Sequence, residues 1–449
     1  LTMAGGGTLV LAGASSYSGG TTVNAGTLQL GLGASLFAGG ALTVNGGTFN
    51  LNGNTQTVGT LSGTGGTIAL GAGTLTTNSS ANTTLATQIT GTGGFGKQGS
   101  GALTLTGANT YSGGTTVAGG LINFAAASNF GAGAITLNGG GLQWATGNTA
   151  DISSKLAPLG AGGGIFDTNG NNVMLASAIT GSGGLAKQGL GTLNLTGNST
   201  LSGGTAVMAG TLAVNGSIAG NVAVGASGTL GGNGTIGGNV VNAGTLAPGN
   251  SIGLLTVNGP YTQMAGSTYQ VEANAQGQAD RVNVGAAAAI QGGTVQVLAQ
   301  PGNYGRSTTY TILNATGGVA GTYSGVTSNF AFLTPSLSYD ANDVFLTLVL
   351  NSFLLRRPDL QPKGRWPRAR PDLPHGQRRL CHSAERHRWP QHDAGAADPR
   401  CHQRPELRRL LQRHGPRRPA LHEQLRQPGG QRQRGRSQGR TGRSLRRRL

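Results

Sequence analysis

Short runs in which apolar residues alternate with Thr or Asn recur along the first 350 residues, as in Leu103-Thr-Leu-Thr106, Leu193-Asn-Leu-Thr196 and Thr115-Thr-Val117. Alternation at period two marks a strand that buries one face. Gly, Asn and Ser, the residues of tight turns, separate these runs. Strands this short, at roughly 8 to 12 residue spacing, suit a sandwich, a barrel or a solenoid.

Repetition decides among the three. The stretch Thr90 to Gly107 returns without a gap as Thr180 to Gly197, and a further copy places Gly7-Thr-Leu-Val-Leu-Ala-Gly13 and Tyr17-Ser-Gly-Gly-Thr-Thr-Val23 against Gly101 to Gly107 and Tyr111 to Val117. A second motif pairs Phe49-Asn-Leu-Asn-Gly-Asn54 with Phe166-Asp-Thr-Asn-Gly-Asn171. A unit this small buries its apolar face only by stacking on a copy of itself, which predicts an all-β, parallel β-helical solenoid with Leu, Val and Ile inside. The glycine pairs at 19–20, 113–114 and 203–204 fall at equivalent corners. At roughly 20 residues per coil, 350 residues predict about 15 to 17 coils and a rod of about 75 to 80 Å.

Composition then divides the chain. Residues 1–255 carry the repeats. Residues 256–350 lose them and hold nine aromatics, as many as the preceding 255 residues, which predicts a denser C-terminal capping module that protects the open end of the rod. Residues 1–350 contain five basic and six acidic side chains and neither His nor Cys. Of the net charge of +18, residues 1–350 contribute −1, and residues 351–449, an Arg- and Pro-rich tail with the character of a disordered segment, contribute +19. No run of about 18 apolar residues is present, so no transmembrane helix is expected. The opening Leu1-Thr2-Met3 has neither the charged nor the apolar region of a signal peptide, and the chain reads as a fragment.

The run Gly107-Ala-Asn-Thr-Tyr-Ser-Gly-Gly-Thr-Thr-Val117, with Asn24-Ala-Gly-Thr-Leu28, resembles the autotransporter-associated β-strand repeat. Gly244 to Gly253, Thr268 to Glu272, Asp280 to Val284, Tyr310 to Leu313 and Phe332 to Asp340 resemble the C-terminal passenger region that precedes the translocator. The resemblance implies a right-handed parallel β-helix of type V secretion, displayed on the outer membrane or secreted. Its expected role is adhesion or surface display, with host or bacterial cell surfaces and other copies of itself as partners. It also implies an outer-membrane barrel near Leu350, but the tail shows no strands of barrel length. A frameshift near residues 351–356 is the expected cause. Two other readings compete with adhesion: an inert carrier for an upstream enzyme domain, and non-specific nucleic-acid binding by the tail.

Candidate chemistry is sparse, and the expectation is no catalytic, cofactor or metal site. Without His or Cys, residues 1–350 cannot form a Ser-His-Asp or Cys-His arrangement. Asp167-Thr-Asn169-Gly-Asn171 opens like a calcium loop, but Asn172 stands where that loop needs Gly, Ala178 where it needs Glu, and the sister copy has Asn50 in place of Asp167; a turn is the better reading. Asp340 and Asp343 read as a hairpin turn. Lys97 and Lys187, at equivalent repeat positions, are expected to be solvated. Cys381, His382, His387, His392, Cys401 and His402 have the residue types of a zinc site without a zinc spacing, and the arginines from Arg432 to Arg448 are the nucleic-acid candidates. Neither tail cluster is favoured as functional.

Overall fold

The computed structural model describes residues 1–351, and the cysteine-histidine and arginine clusters lie outside them, as does the region of the expected frameshift. Those 351 residues form a parallel β-solenoid of about 13 turns. Successive strands pair with the strand one coil away and in register: Leu75–Asn78 on Phe95–Gln98, Phe95–Gln98 on Thr115–Val117, and Ala102–Leu105 on Leu121–Phe124. The alternating runs become strands of burial pattern iBiB, whose Leu, Val, Ile and Phe positions point inward. Leu28, Leu105, Ile122, Leu193 and Leu212 are inaccessible to solvent. One core runs the length of the rod, including an aromatic file of Phe124, Trp144 and Phe166 with ring centres 5.1 and 6.4 Å apart.

The number of coils is smaller than a uniform 20-residue unit predicts, because the coils lengthen. Thr115 pairs with Ile135, but Tyr261 pairs with Ala288 and Ala288 with Val319. The extra residues go into longer strands, such as Thr268–Ala273 and Thr294–Ala299, and into the excursions between them. The rod is correspondingly shorter, about 60 Å at ~4.8 Å per stacked strand.

Parallel stacking crosses residue 255 without a break. It ends where Leu333–Tyr339 and Asp343–Leu350 form an antiparallel hairpin whose second strand pairs with Ser307–Ala315. That hairpin covers the edge of Ser307–Ala315, and Leu333–Tyr339, which carries Pro335, becomes the edge strand in its place. Asp340 and Asp343 lie at its tip: Asp340 Oδ1 accepts the N–H groups of Asn342 and Asp343 at 2.9 and 2.7 Å.

One feature of the stacking is invisible in the repeat. Between Trp144 and Gly164 a 3₁₀ turn, Ser153–Lys155, is inserted, and Gly164–Asp167 stacks directly on Gly141–Trp144. The second and third copies consequently occupy different sides of the rod: Phe95–Gln98 lies in a five-stranded sheet, and its equivalent Leu185–Gln188 in the eighteen-stranded one.

Candidate functional site

Each repeat copy is built around a corner in which a long side chain is folded under the next coil. Lys97 and Lys187 are buried, contrary to their expected solvation. Lys97 Nζ donates to the carbonyls of Gln98, Gly99 and Gly119 at 2.7, 2.9 and 3.2 Å, and Lys187 Nζ to those of Gln188, Gly189 and Ala209 at 2.8, 2.7 and 3.1 Å. A corner turns carbonyls inward, and an ammonium brings three donors to them; of these carbonyls Gln188 O also accepts from the Thr168 N–H at 3.2 Å. Burial lowers the Lys187 pKa to about 8, an effect that the charge of Asp167 opposes, and burial lowers that of Lys97 as well. The roof of the corner is Gly120 or Gly210, at φ +60° and +66°; a Cβ there would stand 2.8 or 2.9 Å from the lysine Nζ and collide with carbonyl oxygens. In the first copy Met3 takes the lysine's place, with its Cε 2.9 Å from the corresponding point on Gly26. These lysines are structural clips, and the signal that could have revealed them was their fixed offset from the positive-φ glycine of the next coil.

A second element of the unit differs in one copy. Tyr17 and Tyr111 share hydrogen bonds with Thr21 and Thr115 through their hydroxyls. The third copy has Leu201 at the tyrosine position, and Thr205 Oγ1 is left buried with no partner.

The calcium-like segment is a turn in both copies. Asn52 and Asn169, at φ +51° and +49°, are the two non-glycine residues in the left-handed region among the described residues. Asn50 Oδ1 and Asp167 Oδ1 each accept the N–H two residues on, at 2.8 and 2.9 Å. Asn54 and Asn171 likewise spend both ends of their amides on backbone, accepting from Gly33 and Gly147 and donating to Gly31 and Ala145 of the preceding coil. The oxygens that a cation would need are committed to the turn and to the neighbouring coil.

In the last coils Asp280 is buried and joins two segments: Oδ1 accepts from Gly253 N–H and Oδ2 from Glu272 N–H, each at 2.8 Å. It thereby anchors the turn Pro248-Gly-Asn-Ser-Ile-Gly253. Burial raises its pKa to about 7, against the lowering effect of those two N–H groups.

The outward faces carry hydroxyls and amides in files. Thr2, Thr22, Thr43 and Ser62 stack coil on coil, with Thr43 and Ser62 3.1 Å apart. Asn123, Gln143 and Asp167 form a similar file, in which the Asn123 amide donates to Gln143 Oε1 at 2.8 Å and the Gln143 amide to Asp167 Oδ2 at 2.7 Å. The first charged side chain of the sequence is Lys97, which is buried, so the early coils present a neutral polar surface. No cluster of three His, Cys, Asp or Glu residues capable of holding a metal occurs among the described residues. No helix among them is long and apolar enough to cross a membrane.

A rod built from this unit is a repeat solenoid of the passenger type. The passenger-associated-transport-repeat family matches residues 1–30, 95–123 and 185–214, the three copies that carry the Met3, Lys97 and Lys187 corners, and the chain thus bears autotransporter-associated repeats. Among curated proteins it is similar to the adhesin BmaC autotransporter of Brucella suis biovar 1 (strain 1330), with 34% identity over 217 residues, covering 44% of this chain and 6% of the adhesin. It is also similar to an extracellular serine protease of Serratia marcescens, with 40% identity over 178 residues, covering 37% of this chain and 17% of the protease. The chain therefore spans a small part of either relative.

Proposed function

We propose that this chain is a surface-displayed adhesive stalk that acts without catalysis, holding a long neutral polar face against another cell surface. The observation that supports this most is the face itself. Files of Thr, Ser, Asn and Gln repeat at the coil spacing, with no exposed charged side chain before Asp151. Such a surface makes many weak hydrogen-bonded contacts and neither attracts nor repels charged partners over distance. The likeness to a protein named an adhesin points the same way.

Beads coated with the full chain, or with the chain ended after Asn351, test the reading on cultured host cells and on bacteria. Retention should exceed that of albumin-coated beads for both proteins and change little between about 0.15 M and about 0.5 M salt, since the contacts are uncharged. Retention no better than albumin refutes adhesion. Retention that needs residues 352–449 and collapses in salt moves the binding to the arginine-rich tail.

A further inference from the structure

Residues 1–350 contain five basic side chains, and four of them are held against the rod. Lys97 and Lys187 are folded under the next coil, with each ammonium on three carbonyls. Lys155 gives its ammonium to Gly131 O, and Arg281 sits half-buried within a strand, paired with Leu254. Arg306 is exposed and stands just ahead of the strand Ser307–Ala315.

The loop that carries Arg306 is held at one point. None of the N–H groups of residues 302–306 is bonded to another described residue. Tyr304 is buried, and its hydroxyl lies 3.0 Å from Ala273 O and 2.9 Å from Gln300 O, which pins the middle of the loop and leaves Gly305 and Arg306 outside. An endopeptidase of the trypsin class needs such a segment. It takes a cationic side chain into a pocket that holds an acid, and it works on exposed chain rather than on a packed coil.

We propose that the Arg306–Ser307 bond is a processing site for a protease that cuts after basic residues, and that the cut leaves the rod assembled. Hydrolysis adds water across the bond and leaves an Arg306 carboxylate and a Ser307 ammonium. Ser307 and Thr308 are the first rungs of the ladder with Val349 and Leu348, so cutting waits on opening at the end of that ladder, where opening costs least. The piece that begins at Ser307 stays woven into the rod. Its residues 313–315 pair with 282–284, Val319–Gly321 with Ala288–Ile290, and Gly325–Ser328 with residues 294–297. Ile312, Leu313 and Tyr323 of that piece belong to the common core, and Tyr269 donates its hydroxyl to Ile312 O across the cut. A protease that reaches the rod would thus nick it without shedding the end.

Trypsin digestion of the native full chain tests this, read by mass spectrometry for new ends within residues 1–351 and by size-exclusion chromatography in buffer and in urea. Cuts beyond residue 351 are common to every variant and are not scored. The first new ends should be Arg306 and Ser307, and the two pieces should elute together in buffer and apart in urea. Arg306→Gln should remove the cut and keep the circular dichroism spectrum. A first cut after Lys97, Lys155, Lys187 or Arg281 overturns the site, as does a native chain left whole at Arg306 by a digestion that cuts the denatured chain there. Separation of the pieces in buffer overturns their retention.

Discussion

Replacing Lys187 with Met tests the account of the repeat corner, because the first copy already carries Met3 there. The substitution keeps the length of the side chain and removes the charge. Two effects then oppose each other. The carbonyls of Gly189 and Ala209 lose the ammonium, at roughly 1 kcal/mol each, while that of Gln188 keeps the Thr168 N–H at 3.2 Å. Against this, burial holds the lysine pKa near 8 rather than 10.5, so the folded chain bears about 3 kcal/mol for keeping the ammonium charged. At pH 7 the two largely offset each other, and Lys187→Met should lie within about 1 kcal/mol of the wild type. Lys187→Ala, which also empties the corner, should lose roughly 2 to 4 kcal/mol. The pH dependence separates the explanations. Between pH 8 and 10 the unfolded chain still binds the lysine proton and the folded chain does not, so wild-type stability rises with pH. Lys187→Met lacks that rise and should fall behind by about 2 kcal/mol at pH 9.5. Amide exchange in residues 185–214, together with urea unfolding followed by circular dichroism, reads both quantities; the local probe matters because a repeat array need not unfold in one step. A Lys187→Met protein that tracks the wild type from pH 7 to 9.5 would refute the reasoning, as would one that unfolds at pH 7.

Leu201→Tyr should restore the bond to Thr205 Oγ1 that the other copies make and stabilise the third copy by about 0.5 to 1.5 kcal/mol, seen as slower exchange there; a loss of stability means the corner cannot admit the ring. Asp280 gives the opposite pH signature to Lys187. The unfolded carboxyl ionises near 4 and the folded one near 7, so stability falls as pH rises across that window by up to about 4 kcal/mol and is level above it. Asp280→Asn should flatten the slope in denaturant midpoints between pH 4 and 7, and a slope that survives the substitution places the titration elsewhere. Gly120→Ala, forced to φ +60° against carbonyl oxygens, should cost roughly 2 kcal/mol or more, whereas Asn52→Gly should be nearly neutral.

Much of this architecture was legible because a solenoid writes its period into the sequence. Alternation placed Leu103 and Leu193 inside, and the copies aligned Gly20, Gly114 and Gly204, all of which adopt positive φ. The hairpin tip at Asp340 followed from its turn residues. The lysines were misjudged because a lone Lys in a polar repeat reads as surface, and its burial depends on carbonyls 22 residues away in the next coil. The rotation of the third copy onto another side was equally hidden, since it arises from the inserted residues before Gly164 and leaves the repeat itself unchanged.

The distribution of strand length predicts how the rod comes apart. In a stack where each coil touches only its neighbours, local stability is the sum of a coil's own terms and two interfaces. Early coils meet through three-residue strands such as Thr21–Val23 and Leu42–Val44. The last coils meet over six paired residues, from Thr268 with Thr294 to Ala273 with Ala299, and are closed by the hairpin. Doubling the ladder should separate the two regions by several kcal/mol in local opening free energy, roughly 1 kcal/mol for each added backbone bond and more for the enclosed aromatics. Hydrogen exchange should therefore be slower in the long ladders, Thr205–Val214 on Val222–Gly232 and Thr268–Ala273 on Thr294–Ala299, than in residues 21–62. A truncation that removes residues 333–350 should steepen loss at that end and leave exchange in residues 21–62 unchanged. Uniform protection along the chain, or early coils that loosen when the hairpin is removed, would mean that the rod unfolds as a single cooperative body and that strand length does not set its local stability.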